Sequence, residues 1–211
     1  MRLHVSFRSS SASRIRMALN LKGIAYEMIP HSGSKGDFGS PEYRQLNPQG
    51  LVPALEHDGR VLVQSMAILE YLEEIYPEPA LLPRDALSRA RVRGLAQMIV
   101  SDIQPLENIG TLRYLRDRLK HDETTAVEWY NFWIAKGFQA LESTLRGSAQ
   151  TGSFCHGDSP TLADICLVPQ VFNSFRHDLD LTPFPTLTGI YHRALELPAF
   201  SQALPDGKQP G

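Results

Sequence analysis

The sequence predicts two parts of different class: an α/β module at residues 1–80 and an all-α part at residues 84–203, with a linker at 81–83 and a flexible tail at 204–211. Three observations lead there. Strand-like and helix-like runs alternate up to a proline cluster at Pro77, Pro79 and Pro83. Beyond that cluster apolar residues recur almost wholly at helical spacing. The chain, at 211 residues, is long enough to bury one large or two modest cores.

In the first part, Leu3 to Phe7 reads as a strand, Ser13 to Leu21 as a helix closed by Gly23, and Tyr26 to Ile29 as a second strand. The Gly- and Ser-rich stretch from His31 to Pro41 reads as a loop. A third strand runs into Pro53, and Val61-Leu62-Val63 is a fourth that ends at Gln64-Ser65. Ala67, Ile68, Leu69, Tyr71 and Leu72 then follow helical spacing, with Ser65 as the natural N-cap. The order β-α-β then β-β-α is thioredoxin-like. In the second part the helical candidates are Ala86 to Val100, a break near Pro105, Ile109 to Leu119, Ala126 to Leu145 and Leu162 to Phe175. Thr161 followed three residues later by Asp164 matches a capping box with Asp in place of the usual Glu or Gln, a structural device worth about 1 kcal/mol.

Composition narrows the function. A formal net charge of −2 and a pI near 6.4 give no general attraction to nucleic acid or to an anionic membrane. No apolar stretch approaches the roughly 18 residues of a membrane span, and Met1 to Ser13 lacks the apolar core of a signal peptide, so the expected location is cytoplasmic. Seven histidines are scattered without metal-ligand spacing, so no metal site is expected. Cys155 and Cys166 form no CxxC pair and read as buried thiols. Ser32-Gly33-Ser34-Lys35-Gly36 lacks the order of a phosphate-binding P-loop and reads as a flexible loop. The arginines at 84–93 and 113–118 are interspersed with acids and read as solvated helix faces.

Chemistry concentrates in two places. A strand running into Pro53 exposes the N–H and C=O of Val52 to an extended, peptide-like ligand, and Pro53 is a candidate for a cis bond. Downstream, the hydroxyl of Ser65 and the first N–H groups of its helix suit a carboxylate, favoured by the positive end of the helix dipole. The run Arg8-Ser9-Ser10-Ser11-Ala12-Ser13-Arg14 joins the first strand to the first helix. A hydroxyl there can donate to a bound thiolate, whereas capping the helix accounts well for only one of the three serines. Arg8, at the strand end, can hold a carboxylate with its planar fork.

Asn47 to Leu55, followed by Gln64 to Leu72, resembles the glutathione site of the glutathione transferase superfamily. Ser159 to Asp164 resembles the start of a core helix in the same family. Arg8 to Leu19 is similar to the zeta-class signature R-S-S-C-S-W-R-V-R-I-A-L, shared by maleylacetoacetate isomerases and, in related form, by bacterial maleylpyruvate isomerases. The likeness continues through Leu21-Lys22-Gly23, Tyr71 to Glu74, Pro79 to Pro83, Asp102-Ile103-Gln104-Pro105 and Leu167 to Gln170, and so covers nearly the whole chain.

The resemblance implies a glutathione transferase fold, glutathione as cofactor, a small acidic substrate and a homodimer. It implies isomerisation of maleylpyruvate or maleylacetoacetate, within aromatic-compound breakdown, and does not choose between them. By position, Ser11 becomes the thiol-stabilising hydroxyl with Ser9 and Ser10 beside it. Val52 becomes the backbone anchor within a turn shared with Gln49 and Pro53, and Gln64 and Ser65 the γ-glutamyl binders. Asp102 and Gln104 contribute from the second part, Arg8 and Arg176 hold the diacid, and Asn108 lies nearby. Four positions depart from the pattern: Ser11 replaces the class cysteine, Ser13 a common Trp, Gln104 a common His, and Gly110 an occasional Arg. Two other readings remain: a general glutathione S-transferase or glutathione-dependent dehalogenase, and a non-catalytic glutathione- or partner-binding protein.

Overall fold

The protein is described by a computed structural model covering residues 1–32 and 37–205. The chain divides into two compact units, Met1–Leu81 with Leu197–Gly211, and Leu82–Glu196. Residues 197–203, expected in the second domain, therefore cluster with the first.

The first unit holds a four-stranded sheet of order β2-β1-β3-β4, built from β1 (Arg2–Val5), β2 (Glu27–Pro30), β3 (Ala54–His57) and β4 (Arg60–Val63). β1 pairs parallel with β2 and antiparallel with β3, and β4 returns antiparallel beside β3. The parallel pair needs a crossover, and α1 (Ser10–Leu21) supplies it. This is the expected β-α-β then β-β-α order. The third strand, however, starts after Pro53 instead of running into it, since proline has no N–H to give to the ladder.

Ile15, Met17, Ala18 and Leu19 of α1 are fully buried, as are Ile68, Leu69 and Leu72 of α3 (Ser65–Ile75). At the far end of this packing, the buried Lys22 ammonium donates to Glu73 at 2.8 Å and to the carbonyls of Tyr76 and Pro79 at 2.6 and 2.9 Å. A further helix, α2 (Pro41–Leu46), occupies the end of the stretch read as loop. Ser40 caps it by accepting from the Tyr43 N–H, and Pro41 stands in its first turn, where a missing N–H costs nothing. Within that stretch Asp37–Gly39 forms a 3₁₀ turn, while Gly33 to Gly36 lie outside the described residues, as do residues 206–211 of the expected tail.

The second unit is helical. Its elements are α4 (Ala86–Gln97), a π-helical segment (Met98–Ile103), α5 (Gln104–Glu107), α6 (Ile109–Asp117), α7 (Glu123–Arg146), α8 (Leu162–Ser174) and α9 (Pro185–Leu195); the short α10 (Pro198–Ser201) belongs to the first unit. The expected break at Pro105 falls instead at Asn108, because a proline in the opening turn of α5 is tolerated. The unanticipated α9 has no side-chain cap of its own. Glu142, buried on α7, substitutes by accepting from the Thr186 and Leu187 N–H groups at 3.0–3.1 Å. The capping box of α8 is present in full. Cys155 and Cys166 are free, buried thiols, and burial pushes the Cys155 thiol well above its ordinary pKa. Among the described residues no helix is long and apolar enough to cross a membrane, and no cluster of ligating side chains fits a metal ion.

Candidate functional site

The β1–α1 junction sorts the serines. Ser9 is the N-cap and accepts from the Ala12 N–H at 3.3 Å. Ser10, the first helical residue, is 7% exposed. Ser11 is half-buried, with its Oγ 3.2 Å from Ser9 Oγ and donating to the Val52 carbonyl at 3.4 Å. Of the three hydroxyls, it is therefore Ser11 that meets the turn singled out in the sequence. The first turn of α1 carries no acid, so the positive end of its dipole is not offset there. Arg8 is exposed in the turn ahead of the helix.

The Val52 turn is held from behind. Tyr43 Oη and Asn47 Nδ2 each donate to the Leu51 carbonyl at 2.7 Å, occupying both lone pairs. Asn47 Oδ1 accepts from the Gln49 N–H at 3.1 Å. Gly50, at φ +64°, leaves no room for a side chain, since a Cβ there would lie 2.7 Å from the Phe38 carbonyl oxygen. The Val52-Pro53 bond is cis, as anticipated. Tyr43 was missed at the sequence level, and Asn47 was named there only as the first residue of the stretch resembling the glutathione site, with no role of its own.

Ser65 is not the N-cap of α3 but its first helical residue. Gln64 takes the cap position with φ +70° and makes no side-chain cap bond, and the first turn of α3 has no acid. A non-glycine residue in that conformation stores about 1–3 kcal/mol of strain, a cost that clusters at ligand clamps. Gln64 Nε2 instead reaches back to Gln49 Oε1 at 2.7 Å, joining the two polar residues flanking the turn. Arg14, wholly buried on α1, donates to Ser65 Oγ at 3.3 Å and brings a positive charge to the start of α3. Its one sequence signal was an arginine among the apolar positions of a helix.

In the second unit, Asp102 is exposed on the π-helical segment and Gln104 opens α5. Asn108 is the N-cap of α6: its Oδ1 accepts from the Gly110 and Thr111 N–H groups at 2.8 and 3.0 Å, and its Nδ2 donates to the Pro105 carbonyl at 2.8 Å. Gly110 suits this cap, since a Cβ there would stand 3.0 Å from Asn108 Oδ1. Arg176 is exposed in a 3₁₀ turn, Phe175–His177, after α8. Burial raises the Tyr130 phenol pKa, Glu107 raises it further, and the Arg176 charge opposes both. Each unit thus carries its own set of polar groups. Ser11, Val52, Gln49, Gln64 and Ser65 are gathered in the first, and Asp102, Gln104, Asn108 and Arg176 belong to the second.

Residues 3–80 match the family model of the glutathione S-transferase N-terminal domain. A maleylpyruvate isomerase of Ralstonia sp is 45% identical over 205 residues, spanning 97% of each chain. A probable maleylacetoacetate isomerase of Vibrio cholerae is 43% identical over 208 residues, 98% of this chain and 96% of the relative. Among solved structures, the holo form of a maleyl pyruvate isomerase, described as a bacterial zeta-class glutathione S-transferase, superposes with a TM-score of 0.97 at 44% identity over the full length of both chains. The maleylacetoacetate isomerase of Anaeromyxobacter dehalogenans, solved with glutathione in its active site, gives 0.86 at 47% identity over 99% of this chain and 96% of that one. With near-complete coverage at this identity, the chain belongs to the zeta class of the glutathione transferases, the family of the maleylacetoacetate and maleylpyruvate isomerases.

Proposed function

We propose that this protein is a glutathione-dependent isomerase that converts a cis maleyl diacid, maleylpyruvate or maleylacetoacetate, to its trans fumaryl form. The observation that carries the reading is the meeting of the Ser11 hydroxyl, in the first turn of α1, with the Val52 carbonyl, in a turn that Gln49 joins to Gln64, the cap residue of α3. These groups fit a short anionic peptide bearing a thiol. An extended backbone can pair with Val52 and a carboxylate can take the first N–H groups of α3, while a thiolate can accept from a hydroxyl at a positive helix end.

Glutathione supplies a nucleophilic thiolate that adds reversibly to the double bond, turning it into a single bond free to rotate, and is regenerated by elimination. The protein's task is stabilisation and restraint. Ser11 donates to the thiolate, with Ser9 fixing the helix start and Ser10 packed beneath it. Val52 and Pro53 present the backbone, and Gln49, Gln64 and Ser65 receive the γ-glutamyl end. Asp102, Gln104 and Asn108 add polar contacts from the second unit. Arg8 and Arg176 each bind a substrate carboxylate. The same family reading makes the protein a cytoplasmic homodimer, and light scattering at micromolar concentration tests the dimer.

Assays of purified protein with maleylpyruvate and maleylacetoacetate, with and without glutathione, test the activity. Arg8→Ala and Arg176→Ala should each lower kcat/KM by roughly 10- to 150-fold, the loss of a charge-assisted hydrogen bond, while leaving the bound thiol's titration unchanged. Wild-type kinetics in both arginine variants would sink the diacid clamp. Robust conjugation of a chlorinated electrophile with no isomerisation would replace this reading with that of a general transferase.

A further inference from the structure

Two histidines far apart in sequence meet on the first unit. His4, on β1 and 6% exposed, places Nε2 2.6 Å from Glu56 Oε1 on β3 and Nδ1 2.8 Å from His31 Nε2 at the end of β2. The two rings are 23° from coplanar, which suits an in-plane N–H···N bond. The Tyr43 ring lies edge-on to His31 at 4.6 Å, and Phe38 closes on both at 6.2 and 5.9 Å. Tyr43 in turn donates to the Leu51 carbonyl, one residue before Val52.

Two facing imidazole nitrogens can share only one proton. His4 donates to Glu56 through Nε2, so the pair holds either with His31 donating to a neutral His4 or with a charged His4 donating to a neutral His31. A second charge puts protons on both facing atoms and breaks the bond.

We propose that Glu56, His4, His31 and Tyr43 form a brace that positions the Leu51–Val52 backbone for glutathione and lets go when both histidines are protonated. The proposal rests on the glutathione reading above and deepens it. Burial, followed by the neighbouring His4, lowers the His31 pKa, while Asp37 pulls it upward. The Glu56 carboxyl is held below its ordinary range, chiefly by its bond to His4, and so stays charged. Burial pushes the Tyr43 phenol up to about 12, so it remains a donor. The other charged groups around the cluster are Arg2 on β1, 3.2 Å from Glu56; Glu27 on β2, 3.4 Å from Arg2; and the exposed Glu42 and Arg44 on α2.

The test is calorimetric titration with S-methylglutathione, whose blocked thiol does not ionise, from about pH 7.5 to about pH 5, alongside NMR titration of the histidine rings. Wild-type affinity should fall roughly five-fold, the scale of one net hydrogen bond, with a midpoint that follows His31. His31→Phe keeps the ring packing and His31→Gln keeps a polar group, and both should bind with little dependence on pH. Tyr43→Phe should bind more weakly at neutral pH and also lose the dependence. A flat wild-type profile while both rings titrate, or an unchanged profile in a folded His31 variant, overturns the brace but leaves the glutathione site standing. No binding by the wild type at neutral pH overturns the glutathione reading and the brace with it.

Discussion

Two helix starts, those of α8 and α3, obey the same physics to opposite ends. At α8, Asp164 is fully buried and accepts from the Thr161 N–H, the Thr161 hydroxyl and the Cys155 N–H, each at 2.8 Å, while Thr161 Oγ1 accepts from the Ala163 N–H at 3.3 Å. That terminus is closed by its own side chains. At α3 the cap residue contributes no side-chain bond, sits at positive φ, and has no acid behind it. A helix end finished by its own side chains marks architecture, whereas one whose cap residue gives no side-chain bond and sits at a conformational cost marks a place suited to a ligand.

Removing the closed cap should have the largest effect. Asp164→Ala leaves two backbone donors and a hydroxyl buried without an acceptor, at about 1–3 kcal/mol for each unsatisfied group, so urea denaturation should show a loss of about 3 kcal/mol or more. At the start of α1, Ser11→Ala should raise the pKa of bound glutathione's thiol by about one unit, worth about 1.4 kcal/mol, visible in the thiolate absorbance titration. Ser65→Ala should weaken glutathione by about 1 kcal/mol in calorimetry. If it costs folding stability alone, the start of α3 is another architectural end and the contrast collapses. The smallest effect carries the opposite sign: Gln64→Gly relieves the positive φ and should change thermal stability by no more than about 1 kcal/mol, in the stabilising direction, while weakening glutathione.

The sequence was most legible where local chemistry decides the outcome. The succession of strands and helices along the first unit, the capping box at Thr161 and Asp164, and the cis bond at Pro53 all follow from periodicity or from a residue's own covalent limits. It was less legible where a partner distant in sequence decides. Ser65 looked like a cap because serine usually caps, yet Gln64 holds that position and Arg14, 51 residues earlier, takes the Ser65 hydroxyl. Asn108, placed near the substrate by resemblance, is a different case: its side chain caps α6 through groups only two and three residues away. α9 escaped notice because its capping acceptor, Glu142, lies 44 residues upstream. His4 and His31 looked scattered because only the parallel pairing of β1 with β2 brings them side by side.

The chain's last described turn has a consequence for biosynthesis. Arg16 of α1 donates to the Ala203 carbonyl, a partner 187 residues away, and Asn20 donates to Ala199 at 3.2 Å. The surface of α1 that receives these groups stays uncovered until residues 199–203 have left the ribosome. The first 81 residues hold all four strands but not the segment that seals their first helix. Completion of the first unit thereby waits on a segment made after the second, and a fragment cut at the proline cluster should lack the cover that α10 gives α1.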